Sequence, residues 1–331
     1  MSAKSTRPSA APTPSRKPPL RARAMPSARP SQAPRLRLVT PLDEGLIAPT
    51  PLPVPARDSP RPFVKWVGGK TQLLGTLFDL MPARFTAYHE AFVGGGALFF
   101  GLTRAERLGN AKVFLSDVNQ ELISTYAAIR DDVANVIRAL GQHPHDRDHY
   151  YALRAADPWS LPASARAARL LYLNRTGFNG LYRVNQSGGF NVPFGRYENP
   201  KICDAENLLA VSKALRTASI EHRPFQTVLE RASRGDFVYF DPPYVPVSAT
   251  SSFVGYAKGG FNLDAQEQLA TVFDTLVRRG VHVMLSNSDA PWVRNRYRDH
   301  QVVRVAARRN VNSKGADRGP VGEVVVVGKP A

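Results

Sequence analysis

The sequence predicts an α/β fold with a largely parallel sheet interrupted by an inserted segment. Three observations carry this: short apolar runs alternate with helical patterns, a glycine cluster follows the first run, and the alternation lapses between residues 136 and 225.

The chain of 331 residues is long enough for one large domain or two smaller ones. Residues 1–60 do not share the alternation. They hold ten Lys/Arg against three acids, a net of +7, with 14 of the 28 prolines and no aromatic residue. Such a stretch cannot bury a core and is expected to be a disordered basic tail. Its first 40 residues are basic, Ser-rich and acid-poor, as in an organelle transit peptide, but the prolines forbid an amphipathic helix. A flexible nucleic-acid arm or an inert extension fits better. Of the net charge of +17, residues 61–331 keep +10, which favours a polyanionic partner such as nucleic acid. The one cysteine, Cys203, leaves no disulfide framework or cysteine-rich zinc site and points to a reducing, cytoplasmic setting. No metal is expected. No apolar run approaches the roughly 20 residues a membrane helix needs, so no membrane partner is expected.

Lys65-Trp66-Val67-Gly68-Gly69-Lys70-Thr71 ends like a phosphate-binding loop. That motif requires a glycine five residues before Gly69, where Val64 stands, so an ATPase reading fails. What remains is either a turn that closes an aromatic ring and two cations over a ligand, or a surface turn with Trp66 in the core. Tyr88–Val93 and Val113–Ser116 read as strands, with helices over Leu98–Arg107 and Glu121–Arg130. Between them, Phe92-Val93-Gly94-Gly95-Gly96 permits a sharp turn and lets a ligand touch backbone at a helix N-terminus. Asp117, 23 residues beyond Gly94, sits where an acid grips a ribose diol. Together Phe92, Gly94, Gly96 and Asp117 describe a nucleoside pocket, although a glycine turn and a helix-capping Asp117 account for the same residues. Ala97-Leu98-Phe99 breaks the Gly-x-Gly-x-x-Gly spacing and disfavours a dinucleotide.

The lapse in alternation, 136–225, contains helical patterns at Tyr150–Ala156, Ala163–Asn174 and Ala205–Arg216, and a Gly/Asn-rich stretch over 174–197. That stretch interleaves Phe178, Asn179, Leu181, Arg183, Asn185, Pro193, Arg196 and Tyr197 with glycines around a hairpin at Ser187-Gly188-Gly189, a mixture suited to probing base edges and phosphates. Arg183 can bind guanine bidentately, and Phe178 or Tyr182 can wedge into a base step. A plain Gly-rich loop has the same composition. The expected division is therefore 61–135 with 226–331 as one domain and 136–225 as an inserted second one.

The sheet is expected to resume near residue 226. Phe237–Phe240 is a strand ending in Asp241-Pro242-Pro243-Tyr244, His282–Ser286 follows the helix Asp264–Arg279, and Gln301–Ala306 with Glu323–Val327 close the sheet. Two prolines lock the exit from the strand, holding a carboxylate and an aromatic ring close together. The ring can stack on a planar base while Asp241 and the Pro242 carbonyl accept both hydrogens of an exocyclic amine such as adenine's. Read blandly, the same tetrapeptide is a Pro-rich turn. Ser286-Asn287-Ser288-Asp289 either lines the cleft or caps a helix before Pro291.

Taken in order, Phe63 to Lys70, Phe92 to Gly96, Asp117-Val118-Asn119, Asn191 to Tyr197 and Asp241 to Tyr244 resemble the Dam-like, alpha-class (D12 type) DNA adenine-N6 methyltransferases. The resemblance spans roughly 61–327 and extends through Ser248-Ala249-Thr250, Tyr256, Phe261 and Asp264-Ala265-Gln266. It implies a Rossmann-like S-adenosylmethionine-dependent methyltransferase sheet with an inserted helical and β-hairpin target-recognition domain, acting on a flipped adenine in double-stranded DNA. A GATC-like site is suggested. It carries cofactor roles onto Trp66, Lys70, Asp117 and Asp241, catalysis onto Asp241, Pro242 and Tyr244, and DNA contacts onto Lys65, Asn179, Leu181, Arg183, Asn185, Pro193 and Tyr197. A nucleoid-associated bacterial or phage enzyme is expected, with a cognate restriction endonuclease as a possible partner. The alternatives are an RNA adenine-N6 methyltransferase, a DNA cytosine-N4 enzyme, from which the Asp of Asp241 to Tyr244 leans away, and an inactive DNA-binding relative. Two departures stand out: the basic tail is foreign to the family core, and relatives usually keep an Asn after the last strand, where this chain has Gly328-Lys329-Pro330.

Overall fold

The computed structural model describes residues 48–50, 58–247, 261–307 and 321–330. Strands β1 (Ala87–Glu90), β2 (Lys112–Asp117), β3 (Ala218–His222), β4 (Phe237–Phe240), β5 (His282–Ser288), β6 (Gln301–Ala307) and β7 (Val321–Gly328) form a seven-stranded sheet in the order β3-β2-β1-β4-β5-β7-β6. From β3 to β5 the neighbours are parallel, and β7 is antiparallel to both β5 and β6. The strand order reverses between β1 and β4. In open α/β sheets the carboxyl ends at such a reversal form the ligand crevice, and here those ends release the Phe92–Gly96 loop and Asp241.

Alternation along the strands sends successive side chains to opposite faces. Phe237 and Tyr239 of β4 join the core shared with α1 (Leu74–Leu80), α2 (Ala97–Arg104), α3 (Gln120–Gly141), α5 (Ala163–Thr176) and α6 (Ala205–Leu215). Val238 and Phe240 join the core beneath α7 (Leu263–Arg278) and α8 (Pro291–Arg296). Side-chain caps fix several helix starts. Asn119 accepts from Leu122 N at 3.0 Å for α3, Asp146 from His149 N at 2.7 Å for α4 (Arg147–Ala155), and Asn262 from Ala265 N at 2.9 Å for α7.

The structure departs from the sequence reading in two places, at α3 and at β3. α3 continues past Arg130 to Gly141, across a break in helical geometry at Asp132 (φ −149°, ψ 53°). The sheet regains the chain at Ala218, ahead of residue 226, because β3 pairs with β2 at the edge. The segment 136–225 shares the sheet's core: Tyr150, Leu170, Leu173 and Val192 cluster with Tyr88 and Leu115. Its helices are fastened to α3 by the buried Arg169, which meets Glu121 at 2.7 Å and donates to the Leu153 and Arg154 carbonyls. Most of 1–60 lies outside the described residues, as does the 248–256 part of the resemblance. Of the tail's described pieces, Thr50 Oγ1 donates to Asp79 at 2.8 Å, and the Pro60 carbonyl accepts from Arg104 at 2.7 Å.

Candidate active site

Asp241 leaves β4 with its side chain 20% exposed and meets Lys70 Nζ at 2.8 Å. Lys70, 3% exposed, comes from a single 3-10 turn, Lys70–Gln72, and also donates to the Gly68 carbonyl. The same ammonium stands over the Tyr244 ring, 4.7 Å from its centroid, and the Tyr244 hydroxyl donates to Glu323 Oε2 of β7 at 2.8 Å. Burial pushes the Asp241 carboxyl up to about 6, against the pull of Lys70.

The turn after Asp241 is braced from beneath. Gln266 Nε2 donates to the Pro243 carbonyl at 2.7 Å, Asn287 Nδ2 to Gln266 Oε1 at 3.2 Å, and Val245 N to Asn287 Oδ1 at 3.0 Å. Ser288 Oγ completes the brace on the Val245 carbonyl. With the Pro243 carbonyl occupied, the Pro242 carbonyl remains without a hydrogen bond among the described residues. Asn287 and Ser288 are thus buried supports of the turn, and the buried Ser286 pairs with the Tyr239 hydroxyl of β4 at 2.8 Å, correcting the expectation that these residues line the cleft. The helix-cap alternative fails as well: Ala290 caps α8, while Asp289 pairs with Arg294 and Arg304.

Across the crevice, Gly94 (φ +46°) and Gly96 (φ +67°) occupy left-handed backbone where other residues are strained. A Cβ on Gly94 would come within 2.7 Å of Trp66, and one on Gly96 within 2.7 Å of the Tyr126 hydroxyl, which itself donates to the Gly94 carbonyl at 3.0 Å. Asp117 accepts Gly94 N at 3.1 Å on Oδ2 and Asn119 N at 2.9 Å on Oδ1, joining the loops after β1 and β2. Burial pushes its carboxyl up. Phe92 turns to the other side, stacked on Phe225 with centroids 5.4 Å apart and edge-on to Phe261 at 5.5 Å. Behind the loop lies Glu90, 3% exposed, accepting from the Tyr88 hydroxyl at 2.7 Å and Phe99 N at 3.2 Å. Burial pushes this carboxyl up to about 8.

The Gly/Asn-rich segment forms the expected hairpin. Val184 and Phe190 bridge antiparallel, and Asn185 N donates to the Gly189 carbonyl at 2.9 Å. Asn185 Oδ1 accepts Ser187 N and Gly189 N, so this side chain closes the turn. Arg183 is exposed, and its fork rests on the Asn191 carbonyl at 3.1 and 2.6 Å. Of the two proposed wedges, Phe178 is 43% exposed, whereas Tyr182 stacks on Trp66 with centroids 5.2 Å apart and reaches Glu121 at 3.4 Å. Tyr182 is therefore a structural ring and not a free wedge. Lys65 Nζ lies 4.4 Å above the Tyr197 ring, and Asn174, 1% exposed, clips both Lys65 and the Gly180 carbonyl. Asn179 (φ +55°), Pro193 and Arg196 are exposed, and Leu181 is half-buried against the core.

A model of the D12 class N6 adenine-specific DNA methyltransferase family matches residues 66–311. The chain belongs to this family. A Type II methyltransferase of Lactococcus lactis subsp. cremoris is 41% identical over 274 residues, covering 80% of this chain and 94% of the relative. A second Type II methyltransferase, of Methanocaldococcus jannaschii, is 39% identical over 278 residues, covering 78% and 95%. The DNA adenine methylase of Escherichia coli (strain K12) is 34% identical over 274 residues, covering 82% and 96%. The chain is accordingly a site-specific, adenine-specific DNA methyltransferase with a Rossmann-like methyltransferase sheet, and DNA is its substrate. The RNA, cytosine and non-enzymatic alternatives give way to that membership. No helix among the described residues is long and apolar enough to cross a membrane.

The D12 family's donor, S-adenosylmethionine, suits the crevice in kind. The space beside Gly94 that a Cβ would fill is walled by Trp66, and the Asp117 carboxylate, with about four acceptor positions, is engaged by the N–H groups of Gly94, Asn119 and Val118 and keeps one for a hydroxyl donor. The sequence alone assigns no site role to Glu90, Asn174, Phe225, Gln266 and Glu323, although Gln266 falls within the stretch that carries the family resemblance. A lone acid inside an apolar strand was a usable signal for Glu90 and Glu323. Nothing local distinguishes Gln266 on α7 from a surface glutamine.

Proposed function

We propose that the Asp241 to Tyr244 turn is the slot in which the target adenine, turned out of duplex DNA, receives its methyl group. The observation that carries this reading is the Lys70 to Asp241 ion pair over the face of Tyr244, at the point where the strand order reverses. Tyr244 stacks on the extruded base, whose unpairing costs a few kcal/mol. Asp241 and the Pro242 carbonyl accept the two amine hydrogens, which turns the nitrogen lone pair out of the ring and toward the methyl. S-adenosylmethionine supplies that methyl as an electrophile. Trp66, Lys70, Phe92, Gly94, Gly96, Asp117 and Asp241 are the residues assigned to hold it. Lys70 keeps Asp241 in place and ionised, and Asp241 orients the amine, since the amine proton turns acidic only once the nitrogen is methylated.

Lys65, Phe178, Asn179, Leu181, Arg183, Asn185, Pro193, Arg196 and Tyr197 form the DNA-facing surface in this reading, with 136–225 as its recognition insert. Arg183 reads a guanine in a GATC-like site after releasing the Asn191 carbonyl. The setting is cytoplasmic, on the nucleoid, and the Type II names of two relatives support a restriction and modification pairing. Asp241→Ala tests the slot: it should abolish transfer of labelled methyl to DNA at a temperature where circular dichroism shows the variant folded, its stability lowered by the unpaired Lys70 ammonium. Turnover within about tenfold of the parent would remove Asp241 from the chemistry.

A further inference from the structure

Tyr244 is the only aromatic residue of the slot, and a stacking ring works only if its plane is fixed. Lys70 covers one face from 4.7 Å, and the ring edge is tied at its hydroxyl to Glu323 Oε2 at 2.8 Å. Glu323 belongs to β7, paired with Ser288 of β5 and Val305 of β6, so its backbone is held on both sides by the sheet. It is half-buried, and its carboxylate lies near enough to Asp241 to oppose that group's ionisation. We propose that Glu323 is a positioning residue for methyl transfer: it anchors the Tyr244 hydroxyl so that the ring face away from Lys70 meets the flipped base. The inference rests on the reading that Tyr244 stacks on the target adenine.

The charged and titratable groups facing Asp241 come from four elements. Lys70 approaches from the 3-10 turn, Glu323 from β7, Tyr239 and Tyr244 from β4 and its exit, and Tyr88 and Glu90 from β1. Lys70 lowers the Asp241 carboxyl and Glu323 raises it. Removing the Glu323 charge therefore shifts Asp241 ionisation to lower pH, a change that packing alone does not produce.

The test uses the full chain, labelled S-adenosylmethionine and plasmid DNA from a methylation-free host, with single-turnover rates across a pH series. Glu323→Ala and Tyr244→Phe should each slow transfer by about 10- to 100-fold, and the double variant should be no slower than either, because both cut the same anchor. Glu323→Gln keeps an acceptor for the hydroxyl, so it should stay within about threefold of the parent at its plateau, with the acid limb displaced to lower pH. A Glu323→Ala rate within about twofold of the parent, independent effects in the double variant, or an unmoved acid limb in Glu323→Gln would overturn the proposal. Asp241→Ala runs alongside. If it is inactive while Glu323→Ala is unimpaired, only the anchor fails; if it is active, the slot itself is wrong.

Discussion

Lys70→Met removes the cation paired with Asp241 while preserving most of the side chain's length. At the observed 2.8 Å, an effective dielectric of 20 gives an attraction of about 6 kcal/mol. Solvent reaches Asp241, whose side chain is 20% exposed, and the substitution relieves the desolvation of the ammonium, so about 3 kcal/mol is the working figure. That corresponds to about 2 pH units at 1.36 kcal/mol each. The carboxyl should move from about 6 to roughly 8. At pH 7 the parent is then mostly ionised and the variant mostly neutral, a loss of about tenfold in kcat that vanishes toward pH 9. The assay is methyl transfer at saturating DNA and S-adenosylmethionine from pH 5.5 to 9, which separates this effect from weakened cofactor binding. Superimposable pH profiles, or a deficit unchanged at high pH, would refute the electrostatic role.

Three further outcomes are expected. Glu90 binds its proton more tightly folded than unfolded, since its carboxyl is raised from 4.5 to about 8; its contribution to stability is therefore fully present below 4.5 and lost as pH rises through 8. Glu90→Gln, which still accepts from Tyr88 and Phe99, should match the parent near pH 5 and exceed it by a few kcal/mol above pH 8 in denaturant unfolding; parallel stability curves would contradict this. Arg183→Ala should lose about 1–3 kcal/mol of discrimination at one base pair and relax the methylated site there, as read by methylome sequencing. Deleting residues 1–40 should leave the methylated sequence unchanged but flatten log affinity against log salt on a non-target duplex, because Lys and Arg that neutralise phosphates release counterions without carrying sequence information; coincident salt lines would show that this segment does not bind DNA.

What was legible in the sequence had short-range causes. The apolar alternation of Phe237–Phe240 is the observed β4, and the glycines after β1 mark the sharp turn that the backbone makes. α3 was cut short because Asp131 and Asp132 break the apolar period just where the helix geometry itself breaks. β3 escaped notice because an edge strand reading Ala-Ser-Ile-Glu-His has little apolar character. Most of what organises the slot is long-range: Lys70 with Asp241, Tyr244 with Glu323, and Gln266 with Pro243. Such pairings follow from the sheet order, which brings β7 beside β5, and no local pattern announces them. The hairpin showed the opposite failure. Its composition suggested either side chains that probe DNA or a plain Gly-rich loop, whereas Asn185 Oδ1 closes the turn and Tyr182 seats it on Trp66.

The stack of Trp66 on Tyr182 links two surfaces that would otherwise act separately. Trp66 borders the Gly94 loop, and Tyr182 immediately precedes Arg183. In the proposed reading the donor lies beside the first ring and DNA beside the second, so a ligand that shifts one ring presses on the other. Thermodynamic reciprocity then applies: the factor by which methyl donor strengthens DNA binding must equal the factor by which DNA strengthens donor binding. Cutting the stack would therefore remove the same factor from donor affinity as from DNA affinity.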